Sequence, residues 1–433
     1  MSTDTVAGRV ANFNVCFRSD CLSSHAGLVL VKDFAERLGL SSLVNSEVRV
    51  KQRQRGYSEA EAIMGLVYNL VAGGSCLSDL DVLRGDPGTL NLLGVKKVIA
   101  PTTAGEHLRK FRMGDIHDLH RTNRLLQERV RAKQPTRVCT IDADSSIYEQ
   151  ASTAKEGSCK AYNGEIGYHP LFAFWDETGE LLYSQLRRGS AYTAAKANYV
   201  LDEVAKRVPC GAQKRLRADS GFYSKTVVSW CERHATRFGI TADQTEPLRQ
   251  RIEELQEGAW EDLERYAVAQ VAELRYQPTG WATAYRYVVK REIREKKTGE
   301  LYFHYHVLVT NDWKRQKAKV LEWQLQHATM ENRIKEHKSG FGLEKLPTGK
   351  FHANWAYLLI GQMAFNLVQW FKRLVLPAEY HTMTVKTLRH RLVNLAGKVV
   401  RTGRQRYLVL SEEYKYKEVW VSAMEKLAQI NFS

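Results

Sequence analysis

Alternating apolar and polar residues from position 137 onward constrain the fold of this chain more than any other feature. Residues 137–144, 167–175 and 180–188 alternate with the period of β-strands, and the sequence DETG at 176–179 favours a hairpin turn between the last two. The next segments are predicted as alternating helix and strand: 192–207, 213–219, 224–235 and 237–242. Three antiparallel strands followed by alternating helices and strands predict a mixed sheet with helices on its faces.

This order of elements is that of the RNase H-like fold, so we predict an α/β protein of that class. Acidic residues stand at two of the predicted strand ends. Asp144 closes the first strand, and Asp219 closes the strand that begins at residue 213, whereas Glu331 lies in a segment with helical character. Carboxylates projected from strand ends and one helix can hold two divalent cations about 3.5–4 Å apart, the arrangement that cleaves phosphodiester bonds.

Each of these acids also has a plainer interpretation. Asp142 lies two residues before Asp144 and points to the same face of the strand, so either could approach the metals. Asp219 could simply cap the helix that follows it. Glu331, Lys335 and Lys338 share one helix face at i, i+4 and i+7, which is also the spacing of an ordinary surface ion pair.

The charge balance favours a polyanionic partner. The chain has 64 Lys and Arg against 48 Asp and Glu, a formal net charge of +16. Residues 386–417 contribute nine of these cations against two acids, with three tyrosines between them. Such a tract is either a solvated face or a surface that follows DNA phosphates and adds aromatic contacts.

Residues 1–135 are predicted to be mostly helical. Ser58 with Glu61, and Thr103 with Glu106, have the spacing of capping boxes at helix starts. The second of these short helices leads into the basic residues Arg109, Lys110 and Arg112. A helix with these side chains could enter a DNA major groove, although most basic helices are ordinary surface helices.

The segment after the fifth strand is too long for a loop. Asp219 and Glu331 are 112 residues apart, and about 80 of these residues follow the end of that strand. Two alternating runs separated by KKTGE predict a β-hairpin within an inserted subdomain. Trp281, just before the hairpin, is either a packing residue or a ring that stacks on an unpaired base.

Residues 351–376 are apolar over a length that could span a membrane. Gln362, Asn366 and Gln369 recur at i, i+4 and i+7, so we predict a long helix packed inside a soluble protein instead. The seven cysteines show no CxxC pair, and the first residues lack an apolar signal core. These features lead us to expect a reducing cytoplasm and no membrane partner.

Taken together, residues 136–376 resemble the DDE transposases of bacterial insertion sequences, specifically the subgroup with an inserted β domain and a Y-R-E-K signature. TIDADSS resembles the first-aspartate strand, in which two hydroxyl residues follow the acid; this likeness favours Asp144, with Asp142 as alternative or supporting ligand. RLRADSGFYS resembles the second-aspartate strand, and MENRIKEHKSGFG the final helix, with six residues between Glu331 and Lys338. Gln324 and His327 stand where the signature has Tyr and Arg.

The resemblance implies a transposase that binds the terminal inverted repeats of an insertion sequence, cuts its ends and joins them to target DNA. It implies Mg²⁺, with Mn²⁺ as substitute, held by Asp144, Asp219 and Glu331. DNA contacts are expected from Lys335, Lys338, Arg109, Lys110, Arg112 and Trp281. Cutting paired ends suggests a homodimer, and a bacterial enzyme of this kind would work in the cytoplasm at the nucleoid. The alternative is a catalytically inactive or domesticated relative that only binds DNA.

We therefore predict an RNase H-like core with an inserted β-containing subdomain and a helical N-terminal DNA-binding region. The expected divisions are an end-binding region at 1–135, the first part of the core at 136–242, the inserted subdomain at 243–312, the second part of the core at 313–376 and a basic region at 377–433.

Overall fold

The computed structural model describes residues 6–10, 13–16, 20–53, 56–264 and 268–432. The chain starts with three short strands: β1 (Val6–Val10), β2 (Phe13–Cys16) and β3 (Leu22–Ser23). Seven helices then follow within the described part of residues 20–135: α1 (Leu28–Arg37), α2 (Leu40–Glu47), α3 (Glu59–Ala72), α4 (Leu80–Arg84), α5 (Pro87–Leu93), α6 (Pro101–Arg109) and α7 (Met113–Lys133). The prediction of a mostly helical first third is confirmed.

The two predicted capping boxes have different outcomes. Ser58 caps α3 as expected, because its hydroxyl accepts from the Glu61 amide and the Glu61 carboxylate accepts from the Ser58 amide. The box at Thr103 and Glu106 is wrong. Helix α6 begins two residues earlier at Pro101, because proline has the backbone angle of the first helical position and no amide hydrogen that needs a partner there.

The predicted strands of residues 137–242 form the centre of a mixed sheet. The elements of this part are β4 (Val138–Ser145), β5 (Tyr148–Glu149), β6 (Cys159–Lys160), β7 (Ile166–Tyr168), β8 (Leu171–Trp175), β9 (Glu180–Gln185), α8 (Ala197–Ala205), β10 (Gln213–Ala218), α9 (Lys225–Arg233) and β11 (Arg237–Thr241). Strand β10 lies between β4 and β11 and is parallel to both. Strand β8 lies between β4 and β9 and is antiparallel to both. The hairpin at residues 176–179 is confirmed.

The segment predicted as an inserted subdomain contributes strands to the same sheet. Its elements are α10 (Glu246–Glu253), β12 (Glu261–Asp262), β13 (Ala269–Tyr276), β14 (Tyr285–Glu295) and β15 (Leu301–Thr310). The predicted β-hairpin is present as β14 and β15. Because β15 pairs with β11, the hairpin extends the main sheet to the order β12-β13-β14-β15-β11-β10-β4-β8-β9 and does not form a sheet of its own.

The remaining elements are α11 (Lys317–Leu325), α12 (Thr329–Lys335), α13 (Phe351–Val375), α14 (Val385–Leu388), β16 (Gly397–Thr402), β17 (Gln405–Val409) and α15 (Lys417–Gln429). Helices cover both faces of the sheet. On one face Phe172 and Phe174 share a core with α7 and α13, and on the other Ile141 and Ala143 share a core with α8 and α9. Alternate residues of β8 therefore face two different cores, with Phe172 and Phe174 on one side and Leu171, Ala173 and Trp175 on the other.

The polar stripe of α13 packs against the sheet edge at β9. Asn366 accepts a hydrogen bond from the Leu181 amide at 2.8 Å and donates to the Leu181 carbonyl at 2.9 Å. Gln362 donates to the same carbonyl and accepts from the Ser184 hydroxyl. These side chains satisfy backbone groups that an edge strand would otherwise leave unpaired. The prediction of a buried helix with a polar stripe is thus confirmed.

Among the described residues, no single helix is long and apolar enough to cross a membrane; one sharply bent pair, Glu59–Ala72 with Leu77–Arg84, passes by length and composition alone.

The helices of residues 1–135 are not a separate body. Side chains of α3 and α7 pack in the same hydrophobic core as α13, and Asn123 of α7 donates to the Leu359 carbonyl of α13. The limits of the expected domains remain predictions. One hydrophobic core extends across the first of these limits, between residues 135 and 136.

Candidate active site

Two acids stand side by side at one end of the sheet. In the parallel pairing of β4 and β10, Ala143 lies opposite Ala218, so Asp144 and Asp219 follow on neighbouring strands. The flanking alanines belong to the core under α8 and α9, and the two aspartates therefore point to the opposite face. Both are half-buried. The strand register brings these two predicted ligands together.

Asp219 is a capping residue, but it caps a different element from the helix considered from its sequence context. Its carboxylate accepts from the Gly221 amide at 3.1 Å and so caps a single 3-10 turn, Ser220–Phe222, whereas Ser224 caps α9. The role of Asp219 as a metal ligand remains a prediction. Capping one turn fixes the side chain in place, and this is compatible with a ligand role.

Glu331 approaches the same place from α12. The helix is short, and Glu331 is exposed in its first turn. Asp144, Glu331, Lys335 and Lys338 line one cleft of about 330 Å³ beside the end of β4. Helix α12 continues after Lys335 into a wide turn, Glu336–Gly340, yet Lys338 still faces the cleft.

The acids repel one another electrostatically. Burial, together with the nearby charges of Asp219 and Glu331, raises the pKa of Asp144 to about 6. Burial also raises the pKa of Asp219, and His327 partly offsets this. Within the described residues, no Lys or Arg forms an ion pair with any of the three acids. We call Asp144, Asp219 and Glu331 the acidic cluster.

The acidic cluster fits divalent cations by its chemistry. Carboxylate oxygens are the ligands that Mg²⁺ and Mn²⁺ prefer, and Mg²⁺ usually takes only one or two of them, with waters and substrate phosphates completing the shell. In the described part of the chain, no three His, Cys, Asp or Glu side chains are already close enough together to hold an ion.

Asp142, the alternative ligand, has quite different surroundings. It is fully buried, and Arg217 binds both of its oxygens at 2.7 Å. His327 contacts it at 3.0 Å and Arg333 at 3.4 Å. Asp176 completes the group by pairing with Arg217 and Arg333, each at 2.7 Å. We call these five residues the buried charge cluster.

The titration of Asp142 reflects these contacts. Burial alone would raise its pKa, but hydrogen bonds from His327 and Arg217 lower it below the ordinary value. Both oxygens are occupied by cations of the protein, so Asp142 has little capacity left for a metal ion. Its position favours a supporting role beneath the acidic cluster.

Strand register could have revealed the main pair of this cluster. If Asp144 and Asp219 are neighbours on parallel strands, the residues two positions earlier, Asp142 and Arg217, must also be neighbours on the same face. The pairing of Asp142 with Arg217 was not among the sequence predictions. His169 was not predicted either; its ring contacts the Ser145 hydroxyl at 2.7 Å and the Ala191 carbonyl at 2.9 Å, and so orients a hydroxyl beside Asp144.

Gln324 and His327 differ in their surroundings. Gln324 is buried and donates to the Ala218 carbonyl at 3.0 Å, so it holds α11 against β10. His327 is half-buried in the 3-10 turn before α12. Its Nδ1 donates to Asp142, and its charge acts on Asp144 and Asp219. His327 therefore connects the buried charge cluster to the acidic cluster.

The predicted DNA contacts lie in three places. Lys335 is exposed beside the cleft, and Lys338 donates to the Ile147 carbonyl at 2.9 Å while its amine lies over the Tyr148 ring. Arg109, Lys110 and Arg112 are all exposed, but only Arg109 belongs to α6. Lys110 ends that helix and Arg112 precedes α7, so these three residues occupy a turn between helices and not one helix face.

Trp281 lies in the loop between β13 and β14. Its ring contacts those of Tyr223 and Tyr285, with centroids 5.3 and 5.7 Å away. It is half-buried against the core under α8 and α9. Packing accounts for one side of the ring, and the stacking role remains a prediction.

Comparison with known families identifies the class of protein to which this chain belongs. Residues 7–432 match the family model described as transposase DDE domain group 1, so the chain belongs to this transposase family. The comparison with curated protein sequences gives no match.

Among solved structures, the chain is similar to one described as a cryo-EM structure of the piggyBac transposase synaptic complex with hairpin DNA. The identity is 13% and the TM-score is 0.42, with 79% of this chain and 73% of the other covered. At this level of similarity we base no residue assignment on it.

Proposed function

We propose that this DDE-family transposase cuts the ends of an insertion sequence and joins them to target DNA, with Asp144, Asp219 and Glu331 as its catalytic acids. The observation that carries the proposal is the acidic cluster itself. Two neighbouring strands and one helix bring three carboxylates together, and in the described residues no Lys or Arg of the protein neutralises them. Such a concentration of negative charge costs free energy unless an external cation offsets it.

The protein's own residues would position the reacting groups. Asp144 and Asp219, fixed on adjacent strands, would hold the cations, and Glu331 would approach from the opposite side of the cleft. Divalent cations bound there supply the activation of water or a 3′-hydroxyl and the stabilisation of the leaving oxygen. The buried charge cluster would keep β4, β10 and the start of α12 in register. Lys335 and Lys338 would hold the phosphates beside the scissile bond.

Several finer assignments belong to the same proposal. We infer an RNase H-like core, Mg²⁺ with Mn²⁺ as substitute, and terminal inverted repeats as the specific duplex. Arg109, Lys110, Arg112 and Trp281 are proposed as further contacts to DNA. The proposal also includes membership of the Y-R-E-K subgroup, a homodimer that binds paired ends, and a bacterial enzyme that works at the nucleoid in the cytoplasm. The family match and the mixed sheet support the class, and experiments must test these details.

Cleavage of labelled element ends tests the proposal directly. The probes are duplexes carrying the inverted repeats found in the DNA that flanks the gene, incubated with Mg²⁺ or Mn²⁺. Asp144→Asn, Asp219→Asn and Glu331→Gln should each lower the cleavage rate by on the order of 1,000-fold, because metal ions contribute several kcal/mol to such transition states. Binding of the uncut duplex should remain.

Glu322→Gln is the matched control, because it removes a carboxylate from α11 that only pairs with Lys319 at 3.0 Å. We expect normal cleavage from this variant. A native chain that binds the repeat but does not cut it with either metal would instead be a relative that only binds DNA.

Recognition of the element ends requires a point-variant test. Deleting residues 1–135 would uncover α13, whose core these helices share, so the truncated chain would not be a fair test. Replacing Arg109, Lys110 and Arg112 together with glutamine leaves the core intact because all three are exposed. The preference for repeat over random duplex should fall, and an unchanged preference would place recognition elsewhere.

A further inference from the structure

A second basic surface lies far along the chain from the acidic cluster. Strands β16 and β17 form a two-stranded ribbon, residues 397–409, which we call the basic ribbon. It carries Lys398, Arg401, Arg404 and Arg406 and contains no acidic residue. Every residue from 401 to 407 is exposed, so the outer half of the ribbon projects from the body of the protein.

The charges of the basic ribbon are not neutralised by the protein. Lys398 pairs with Asp20 near the base, but within the described residues no carboxylate pairs with Arg401, Arg404 or Arg406. Arg401 donates to the Gly403 carbonyl at 3.2 Å and Arg406 reaches Asn91 at 3.4 Å. The outer ribbon thus keeps its positive charge available to an external anion.

The other projecting hairpin shows that this is not a general property of hairpin tips here. At the far end of β14 and β15, Arg294 pairs with Glu292, and Lys296 pairs with Glu300 at 2.8 Å. Each of these cations has an acid next to it on the same hairpin. Both hairpins carry a net positive charge, but the cations named on β14 and β15 pair with acids of the same hairpin, whereas residues 397–409 contain no acid. The basic ribbon therefore has a charge pattern that solubility alone does not require.

The segment that leads into the basic ribbon is fixed to the helix end that follows Glu331, and the base of the ribbon pairs with β3. Arg389 donates to the Gly340 carbonyl at 2.6 Å and to the Val71 carbonyl at 2.7 Å. The Glu336 carboxylate accepts from the Val385 amide at 2.6 Å. Strand β16 also pairs with β3 through Gly397 and Ser23. The ribbon is therefore anchored at its base to the structure that carries the acidic cluster, and free at its tip.

The dimensions of the ribbon suit a DNA groove. Four residue steps separate Lys398 from Thr402, which at about 3.3 Å per residue gives a length of roughly 13 Å. Gly403, with a φ of +61°, makes a narrow turn at the tip. The B-DNA major groove is about 12 Å wide and admits a two-stranded ribbon. Thr402 and Gln405 beside the arginines provide hydrogen-bonding groups at the tip.

We propose that the basic ribbon inserts into a groove of duplex DNA next to the acidic cluster and binds its phosphates through Arg401, Arg404 and Arg406. This inference deepens the proposed function and rests on it for the identity of the DNA. Duplex DNA is favoured over a membrane surface because the tip consists of charged and polar side chains. Of the exposed apolar side chains, Val409 lies at the base opposite Lys398, and Tyr407 lies midway along the ribbon opposite Val400.

The test measures DNA binding by the full chain as a function of salt. The probe is a fluorescein-labelled random-sequence duplex in EDTA, so no cleavage occurs. Replacing Arg401, Arg404 and Arg406 with glutamine should reduce the slope of log affinity against log salt by about two to three and weaken binding on the order of 100-fold at 150 mM salt. Circular dichroism melting should be unchanged because these side chains are exposed.

The matched control removes three cations from the other hairpin: Arg294, Lys296 and Lys297, each replaced with glutamine. It has the same net charge as the ribbon variant, and we expect a slope within about half a unit of the native chain, since two of its three cations already have acidic partners. Equal slopes for the two triple variants would overturn the proposal, because the ribbon would then act only through net charge.

Two further outcomes separate the ribbon from the proposed function. Loss of binding to vesicles with anionic lipid, without any change in the DNA slope, would identify a lipid surface and also overturn the proposal. Because binding is measured in EDTA, the result does not depend on the catalytic acids. A chain whose acid variants cut normally refutes the proposed catalytic site, and the salt slope still decides the role of the ribbon.

Discussion

The acidic cluster and the buried charge cluster lie next to each other at one end of the sheet. The acids of the buried charge cluster pair with basic side chains, whereas the acids of the acidic cluster face one another. Asp142 is fully buried and shared among three cationic or hydrogen-bonding side chains. Asp144 lies two residues further along the same strand and meets other carboxylates instead. Their pKa values shift in opposite directions from one ordinary value.

This difference is the one expected between an acid that holds the fold together and an acid that serves a function. A buried carboxylate with a complete set of cationic partners is held in the folded state by those partners, and removing it leaves their charges unpaired. Half-buried carboxylates that repel one another destabilise the fold, which natural sequences tolerate mainly at functional sites. The comparison predicts that neutralising either aspartate changes stability, with opposite signs.

The largest expected effect belongs to the buried charge cluster. Asp142→Asn should lower the free energy of unfolding by about 3–5 kcal/mol at pH 7, because Arg217 would remain buried with only Asp176 as an acidic partner. Denaturant titration measures this. The stability from Asp142 is present above its unfolded pKa near 3.8 and is lost as pH falls through its lower folded pKa. A well-folded variant that fails to cut DNA would make Asp142 the first metal ligand.

Asp144→Asn should have the opposite effect on stability while it abolishes cleavage. The folded pKa of Asp144 is about 6, against 3.8 for the free side chain, so ionisation costs stability as pH rises between these values. Asparagine removes this cost, and we expect a gain of roughly 2 kcal/mol at pH 7 in EDTA. At pH 3.5 both proteins carry a neutral side chain, and the gain should vanish. A loss of stability of Asp144→Asn at pH 7 would show that repulsion among the three carboxylates does not destabilise the native protein.

His327 links the two clusters, so its replacement sharpens the comparison. His327→Ala removes a hydrogen bond to Asp142 and the charge that offsets the acidic cluster. Cleavage should fall about 10–100-fold, the usual cost of losing a residue that orients metal ligands. DNA affinity in EDTA should stay within twofold, and Mn²⁺ should rescue less than half of the loss. Equal losses of binding and cleavage would identify His327 as a DNA contact.

The smallest expected effect concerns the cations beside the cleft. Lys338→Ala should weaken DNA binding about tenfold and reduce the salt slope by about one, as for a single phosphate contact. Part of its hydrogen bonding already goes to the Ile147 carbonyl, so Lys335→Ala, with an exposed amine, provides the comparison. If only the melting temperature changes in Lys338→Ala, this lysine holds the end of β4 and does not contact DNA.

Much of the sheet could be predicted because strand periodicity is local. The alternation around Asp144 and Asp219 identified both strands and both strand ends, and the polar stripe of α13 identified a buried helix. One error occurred where a neighbouring residue set the start of a helix, because Pro101 moved the start of α6 away from Thr103. The sequence predicted the hairpin of β14 and β15 but not its partner in the sheet, and the structure shows that β15 pairs with β11.

By itself the sequence determined which residue types stand at the strand ends and in which order the elements follow, because these depend on spacing along the chain. It could not separate Asp142 from Asp144, since both occupy one face of one strand with the same charge. Only the tertiary structure shows how their surroundings differ, and the choice of the first metal ligand remains a prediction. Arg217 from the neighbouring strand and His327 from the turn before α12 surround Asp142, whereas Asp144 is left to face Asp219 and Glu331, because burial and partner charges arise from packing between distant segments.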